Sequence, residues 1–168
     1  MVSDARASRS ILTDWPPRPA AVGLLVALVL AALILRIALF PVVVGDYTSF
    51  LSPWYDYIVS HGGWPALKDN FSNYNIPYLV LLTLATYLPL PKLIAIKSIS
   101  LLGDAFLALF AGLTLSVRFP RSPVPVFGAL VLLFAPTIVI NGAAWGQCDA
   151  LYTAFCLGSL YCLMIKRP

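Results

Sequence analysis

The residues able to do chemistry are few, and no acidic one is a Glu: all seven acids are Asp. Asp46 stands in Gly45-Asp46-Tyr47, just past a long apolar run. A carboxylate at such a partly dry boundary can take a proton from a hydroxyl or orient it, although a solvated loop Asp after a glycine turn explains the same residue. Arg36 lies earlier, inside the run, where a charge marks a site by default unless its long side chain snorkels to the boundary. Asp104, in KLIAIKSISLLGDAFLALF, is the clearest charge within an apolar stretch. Lys97 shares nearly the same helical face but lies about 10 Å away along the axis. The expected partner of Asp104 therefore comes from another helix, with Arg36 the candidate, and structural pairing and a site role both stand open. In NGAAWGQCD, from Asn141 to Asp149, polar groups could bind a polar ligand, or Gln147 or Asp149 could cap the next helix. His61 has no Cys, His or Glu at ligand spacing and reads as a loop residue. Cys148, Cys156 and Cys162 show no metal-type spacing, and no phosphate loop, dinucleotide fingerprint, HExxH or GxSxG pattern occurs.

The elements that must position these residues are set by composition. The chain has 168 residues, 60% of them hydrophobic and 11% charged, with a mean hydropathy of +0.88. An ordinary soluble domain carries about 25% charged residues. The expected class is therefore an all-α, polytopic integral membrane protein. The net charge of +4 does not point to nucleic acid, because the cations are scattered at the edges of apolar runs and not gathered in a stripe.

Five apolar stretches follow one another: 20–43, Pro77 to Pro91, Leu93 to Val117, Val124 to Ile140 and Ala150 to Ile165. They predict about five membrane-embedded helices in a membrane domain, 20–168, after a cytoplasmic N-terminal tail, 1–19. Arg6, Arg9 and Arg18 place that tail inside by the positive-inside rule. The first run is too long for a cleaved signal peptide and reads as a retained anchor. Residues 44–76 form an outer loop rich in Trp and Tyr, in which Phe50, Trp54, Tyr57 and Ile58 recur at helical spacing. That spacing predicts a short amphipathic helix along the membrane surface. Arg118 with Arg121, and Lys166 with Arg167, mark further cytoplasmic junctions. Pro77 to Pro91 would then enter the membrane and return, since its length of about 22 Å falls short of a core of about 30 Å. On that topology Asp46 and Asp149 share the outer face.

Taken in order, these features resemble the GT-C superfamily of membrane glycosyltransferases, which use polyprenyl-phosphate sugars. The resemblance rests on Leu35-Arg36 near the end of the first helix, Gly45-Asp46-Tyr47 on the first outer loop, the aromatic amphipathic segment and NYNIPY from Asn73 to Tyr78. KSISLLGDAFLAL and FAPTIVINGAAWGQCDALY complete it. It covers residues 30–165, in particular toward bacterial proteins related to the second mannosyltransferase of GPI-anchor synthesis, and more distantly toward the dolichyl-phosphate-glucose-dependent glucosyltransferases. No single motif is specific; their order and membrane context are.

The resemblance implies that Asp46 is the catalytic residue, activating an acceptor hydroxyl for attack on the anomeric carbon with inversion while polyprenyl phosphate leaves. It implies a substrate-binding set of Arg36, which would neutralise the phosphate, with Tyr47, Tyr74, Trp145, Gln147 and Asp149. The partners it implies are a polyprenyl-phosphate sugar donor, membrane lipid and a glycan, lipid or protein acceptor, at a bacterial plasma membrane in preference to the endoplasmic reticulum. A divalent cation is the one candidate cofactor. Family members carry more membrane helices, so this chain is expected to be an N-terminal part. A small transporter or channel subunit, with Arg36 and Asp104 as pathway charges, and a noncatalytic membrane scaffold are the rival readings.

Overall fold

In a computed structural model, residues 19–166 are described; the expected tail with Arg6, Arg9 and Arg18, and also Arg167, lie outside them. Helix α1, Pro19–Leu39, is a run of Leu, Ala, Val and Ile, and it ends where Pro41 removes a backbone donor and restrains Phe40. A π-helical turn, Tyr47–Leu51, runs directly into α2, Ser52–Ser60. Gly62 and Gly63, at φ +79° and +81°, then reverse the chain into a 3-10 turn, Trp64–Lys68. Positive φ is open to glycine at no steric cost. Helix α3 covers Ile76–Thr86, α4 Lys92–Arg118 and α5 Val124–Phe134. A short helix α6, Pro136–Val139, passes into a second π-helical turn, Ile140–Ala144, before α7, Asp149–Ile165. The described residues are helical, without strands.

Pro136 explains the break between α5 and α6. It forces Ala135 into extended backbone, φ −61° and ψ 120°, as the residue before a proline prefers, and the axis bends by 50°.

The expected five embedded helices are corrected by this geometry. Among the described residues, only α1 and α4 are long and apolar enough to cross a membrane, with a third if α5 and the segment Pro136–Ala144 form one bent span. Helix α3, at 11 residues, reaches about 16 Å at 1.5 Å per residue, and α7, at 17 residues, about 25 Å, both short of about 30 Å.

Helix α4 is the hub against which α5 and α7 pack. At Gly103 a Cβ would come within 2.8 Å of the Leu151 amide nitrogen, so glycine sets how closely the start of α7 approaches α4. Of the two long helices, the main core takes in only α4. It lies at one end, where Leu51, Trp54, Tyr55 and Ile58 of the loop pack against Tyr78, Leu79 and Leu82 of α3 and Ala95, Ile96 and Ile99 of α4. The amphipathic helix expected in 44–76 exists, with Trp54 and Ile58 packed into this core and Phe50 left exposed. Helix α1 instead buries only Ala32 and Arg36 and leaves Leu24 and Ile34 62% and 65% exposed.

Candidate functional site

Asp46 follows the irregular stretch Val42–Val44 and opens the π-helical turn, with Thr48 Oγ1 donating to Gly45 O at 2.9 Å. From the other side of the molecule, the π-helical turn after α6 closes through Trp145 N to Ile140 O and Gly146 N to Gly142 O, both 3.0 Å. Gly146, at φ +76°, then swings Gln147 back toward Asp46.

The result is a short relay. Gln147 Nε2 donates to Asp46 Oδ2 at 2.7 Å, and Tyr74 Oη donates to Gln147 Oε1 at 2.6 Å. A carboxylate only accepts, so it fixes which end of the Gln147 amide faces it, and the Tyr74 hydroxyl reinforces the same orientation. Tyr74 is braced by aromatic contacts at 4.8 Å with Trp54 and 5.0 Å with Tyr78. Burial pushes the Tyr74 phenol up to about 12, with Cys148, Asp149 and Asp46 adding to the effect, so at neutral pH Tyr74 acts as a donor and never as a base. Asp46, Phe50, Trp54, Asn73, Tyr74 and Gln147 line a small cavity of about 130 Å³.

Asp149 lies beyond Gln147 and close enough for its charge to reach the Tyr74 phenol. It does not cap α7: Cys148 holds the N-cap position without a side-chain bond and Gln147 is engaged with Asp46. Asp149 occupies the first turn instead, where a carboxylate complements the helix dipole, and accepts from Asn141 Nδ2 at 3.0 Å. With the 46% exposed Trp145, Asn141 and Asp149 form the polar end of a groove of about 780 Å³, otherwise walled by apolar side chains such as Leu107, Leu132, Ile138 and Leu157. Burial raises the Cys148 thiol to about 11, which keeps it protonated and a poor nucleophile.

The expected substrate-binding set therefore divides. Tyr74 and Gln147 join Asp46, Trp145 and Asp149 line the adjoining groove, and Tyr47 is buried in the core. Arg36 is elsewhere. Its Nε donates to Asp104 Oδ2 at 2.8 Å, and its Nη1 donates to Ala32 O at 3.1 Å and to Leu133 O at 2.8 Å. Leu133 O is one of the carbonyls freed by the Pro136 break, so the guanidinium caps the broken helix while pairing with Asp104. Both side chains are almost fully enclosed, at 2% and 1% exposure. Gly142 makes room for the carboxylate, since a Cβ there would lie 3.1 Å from each Asp104 oxygen.

Lys97 received no role from the sequence. It is fully buried, and Nζ donates to Phe40 O at 2.9 Å, Val42 O at 2.6 Å and Ala144 O at 2.9 Å. The signal was present, a cation inside an apolar stretch, but its acceptors are backbone groups that no spacing rule reveals. His61 is the loop residue expected, capping α2 and stacked on Tyr57 at 3.8 Å. Among the described residues, no group of three or more His, Cys, Asp or Glu side chains could hold a metal ion.

No family model, curated protein or solved structure matches this chain.

Proposed function

We propose that this chain is an integral membrane protein carrying the base-bearing part of a glycosyltransferase, which moves a hexosyl group, mannosyl in the first instance, from a polyprenyl-phosphate donor to an acceptor hydroxyl. The observation that carries the reading is the Asp46–Gln147–Tyr74 relay, which holds one carboxylate by an oriented amide beside an aromatic cavity, while Asp149, two residues beyond Gln147, lines a largely apolar groove of about 780 Å³. In the proposed step Asp46 takes the acceptor hydroxyl proton as the oxygen bonds to the anomeric carbon. The bond from that carbon to the phosphate oxygen breaks, and polyprenyl phosphate departs with the electron pair. Trp54 and Tyr74 would offer apolar faces to the sugar, and the groove ending at Asn141, Trp145 and Asp149 would take the isoprenoid chain.

Membrane insertion is supported by α1, whose outward side chains, such as Leu24 and Ile34 at 62% and 65% exposure, would each cost about 1–2 kcal/mol in water relative to an apolar surrounding. An exposed apolar surface of this extent marks a membrane or partner contact. The transport reading is less favoured, because Arg36 and Asp104 are paired with one another at 2.8 Å. The reading is tested by expressing the intact gene and its Asp46→Asn variant in membranes supplied with labelled polyprenyl-phosphate mannose. Label passes to an acceptor with the first and not the second if the reading holds; equal transfer by both removes Asp46 from the mechanism.

A further inference from the structure

Lys97 stands at the meeting point of the two segments that carry Asp46 and Gln147. A lysine ammonium has three donors and no acceptor, and here all three are spent on backbone carbonyls. Phe40 and Val42 belong to the turn that ends α1, and Ala144 ends the second π-helical turn. Helix C-termini leave carbonyls without intrahelical donors and carry partial negative charge, so a buried cation is stabilised there without an anion. Distance from Asp104 is thus no defect: the charge of Lys97 is balanced by two helix ends.

The connectivity gives this bond set a purpose. From Val42 the chain runs through Gly45 to Asp46; from Ala144 it runs through Gly146 to Gln147; and Gln147 closes on Asp46 at 2.7 Å. Gly146 wraps the lysine itself, since a Cβ there would lie 3.6 Å from Lys97 Cγ and 3.3 Å from Leu51 Cδ1. The ammonium, the two short segments and the Asp46–Gln147 bond form one closed ring. Without Lys97 the Asp46–Gln147 bond is the only hydrogen bond that joins these segments among the described residues.

We propose that Lys97 is a positioning residue: it sets the spacing of Asp46 and Gln147 by fastening together the backbone that leads into each. Its consequence for sugar transfer rests on the proposed function, whereas the geometric claim does not. A misplacement of about 1 Å caused by a residue away from the chemistry can cost about 100-fold in rate.

The test uses the full chain with its cysteines replaced by serine and with cysteines introduced as Asp46→Cys and Gln147→Cys, purified in detergent and joined by a short bifunctional thiol reagent. Adding Lys97→Met, which keeps the apolar stem and removes every donor, should slow intramolecular cross-linking about ten-fold by lowering the effective concentration of one thiol at the other. Lys97→Gln, with a shorter side chain that keeps an amide donor, should slow it about three-fold, and it decides the matter if Lys97→Met does not purify as a folded species. An unchanged cross-linking rate in either folded variant overturns the proposal. With Asp46 and Gln147 intact, Lys97→Met should lower kcat for sugar transfer about 100-fold and leave the donor KM nearly unchanged. Combined with Gln147→Ala, it should cost no more than the worse single change, since both would act through one contact; a loss equal to the product of the two would overturn that route. A wild-type protein that transfers no sugar would overturn the proposed function alone, leaving cross-linking to decide the role of Lys97.

Discussion

Replacing Arg36 by Met should destabilise the protein far more than replacing both members of its ion pair. Asp104 draws its only hydrogen bond among the described residues from Arg36 Nε, so Arg36→Met leaves an enclosed carboxylate without a donor and uncaps Leu133 O. Removing one partner of a buried pair costs about 3–5 kcal/mol. Asp104→Leu is milder, because Arg36 keeps its bonds to Ala32 O and Leu133 O, both carbonyls of helical residues. In the double variant Arg36→Met/Asp104→Leu no charge remains buried. Its expected cost is about 1–2 kcal/mol, the uncapped Leu133 carbonyl being the main loss. Even if Asp104→Leu alone cost nothing, the coupling between the two sites is then at least about 1 kcal/mol, above the roughly 0.5 kcal/mol within which independent sites add. Reversible unfolding of the four proteins in mixed micelles, followed by far-ultraviolet circular dichroism, measures it. Additive single effects would refute the pairing as the source of stability.

Two further outcomes follow from the burial pattern. The Tyr74 phenol is raised from 10.0 to about 12, so the folded state favours its protonated form. Its contribution to stability is complete below pH 10 and is lost as pH rises toward 12; in Tyr74→Phe the tyrosinate absorbance titration should lose one tyrosine's amplitude from the change near pH 12, and an undiminished amplitude there would contradict the assignment. Cys148 is buried, whereas Cys156 and Cys162 are exposed on α7. If α7 faces lipid, a membrane-impermeant maleimide should label none of the three in sealed vesicles and all three after denaturation; rapid labelling of Cys156 in vesicles would contradict the membrane placement.

The helical class and the long apolar first helix were legible because apolar runs declare themselves without tertiary information. The pairing of Arg36 with Asp104 was legible for a related reason: a charge in an apolar helix needs a partner, and few exist. Assigning Arg36 to phosphate binding went beyond the residues, and the structure places it against Asp104 and the broken end of α5. The count of segments was too high because α3 and α7 stop short of a bilayer core and because Pro136 breaks a run that hydropathy reads as continuous, although the conformational limit on Ala135 was written in the Ala-Pro pair. The amphipathic helix was found from its period, but periodicity cannot say whether its apolar face meets lipid or α3 and α4. Asp46, Tyr74 and Gln147 were each singled out, yet their contact depends on two distant turns that Lys97 fastens through backbone carbonyls, a partnership with no sequence pattern.

The central claim is that Asp46 is a base held by Gln147, and steady-state transfer kinetics of Asp46→Asn test it most directly. The amide keeps the size of the carboxylate and lacks its basicity, so kcat should fall by about 10²- to 10⁴-fold while the donor KM stays close to that of the wild type. A kcat within about two-fold of the wild type, or a loss carried entirely by KM, would contradict the account.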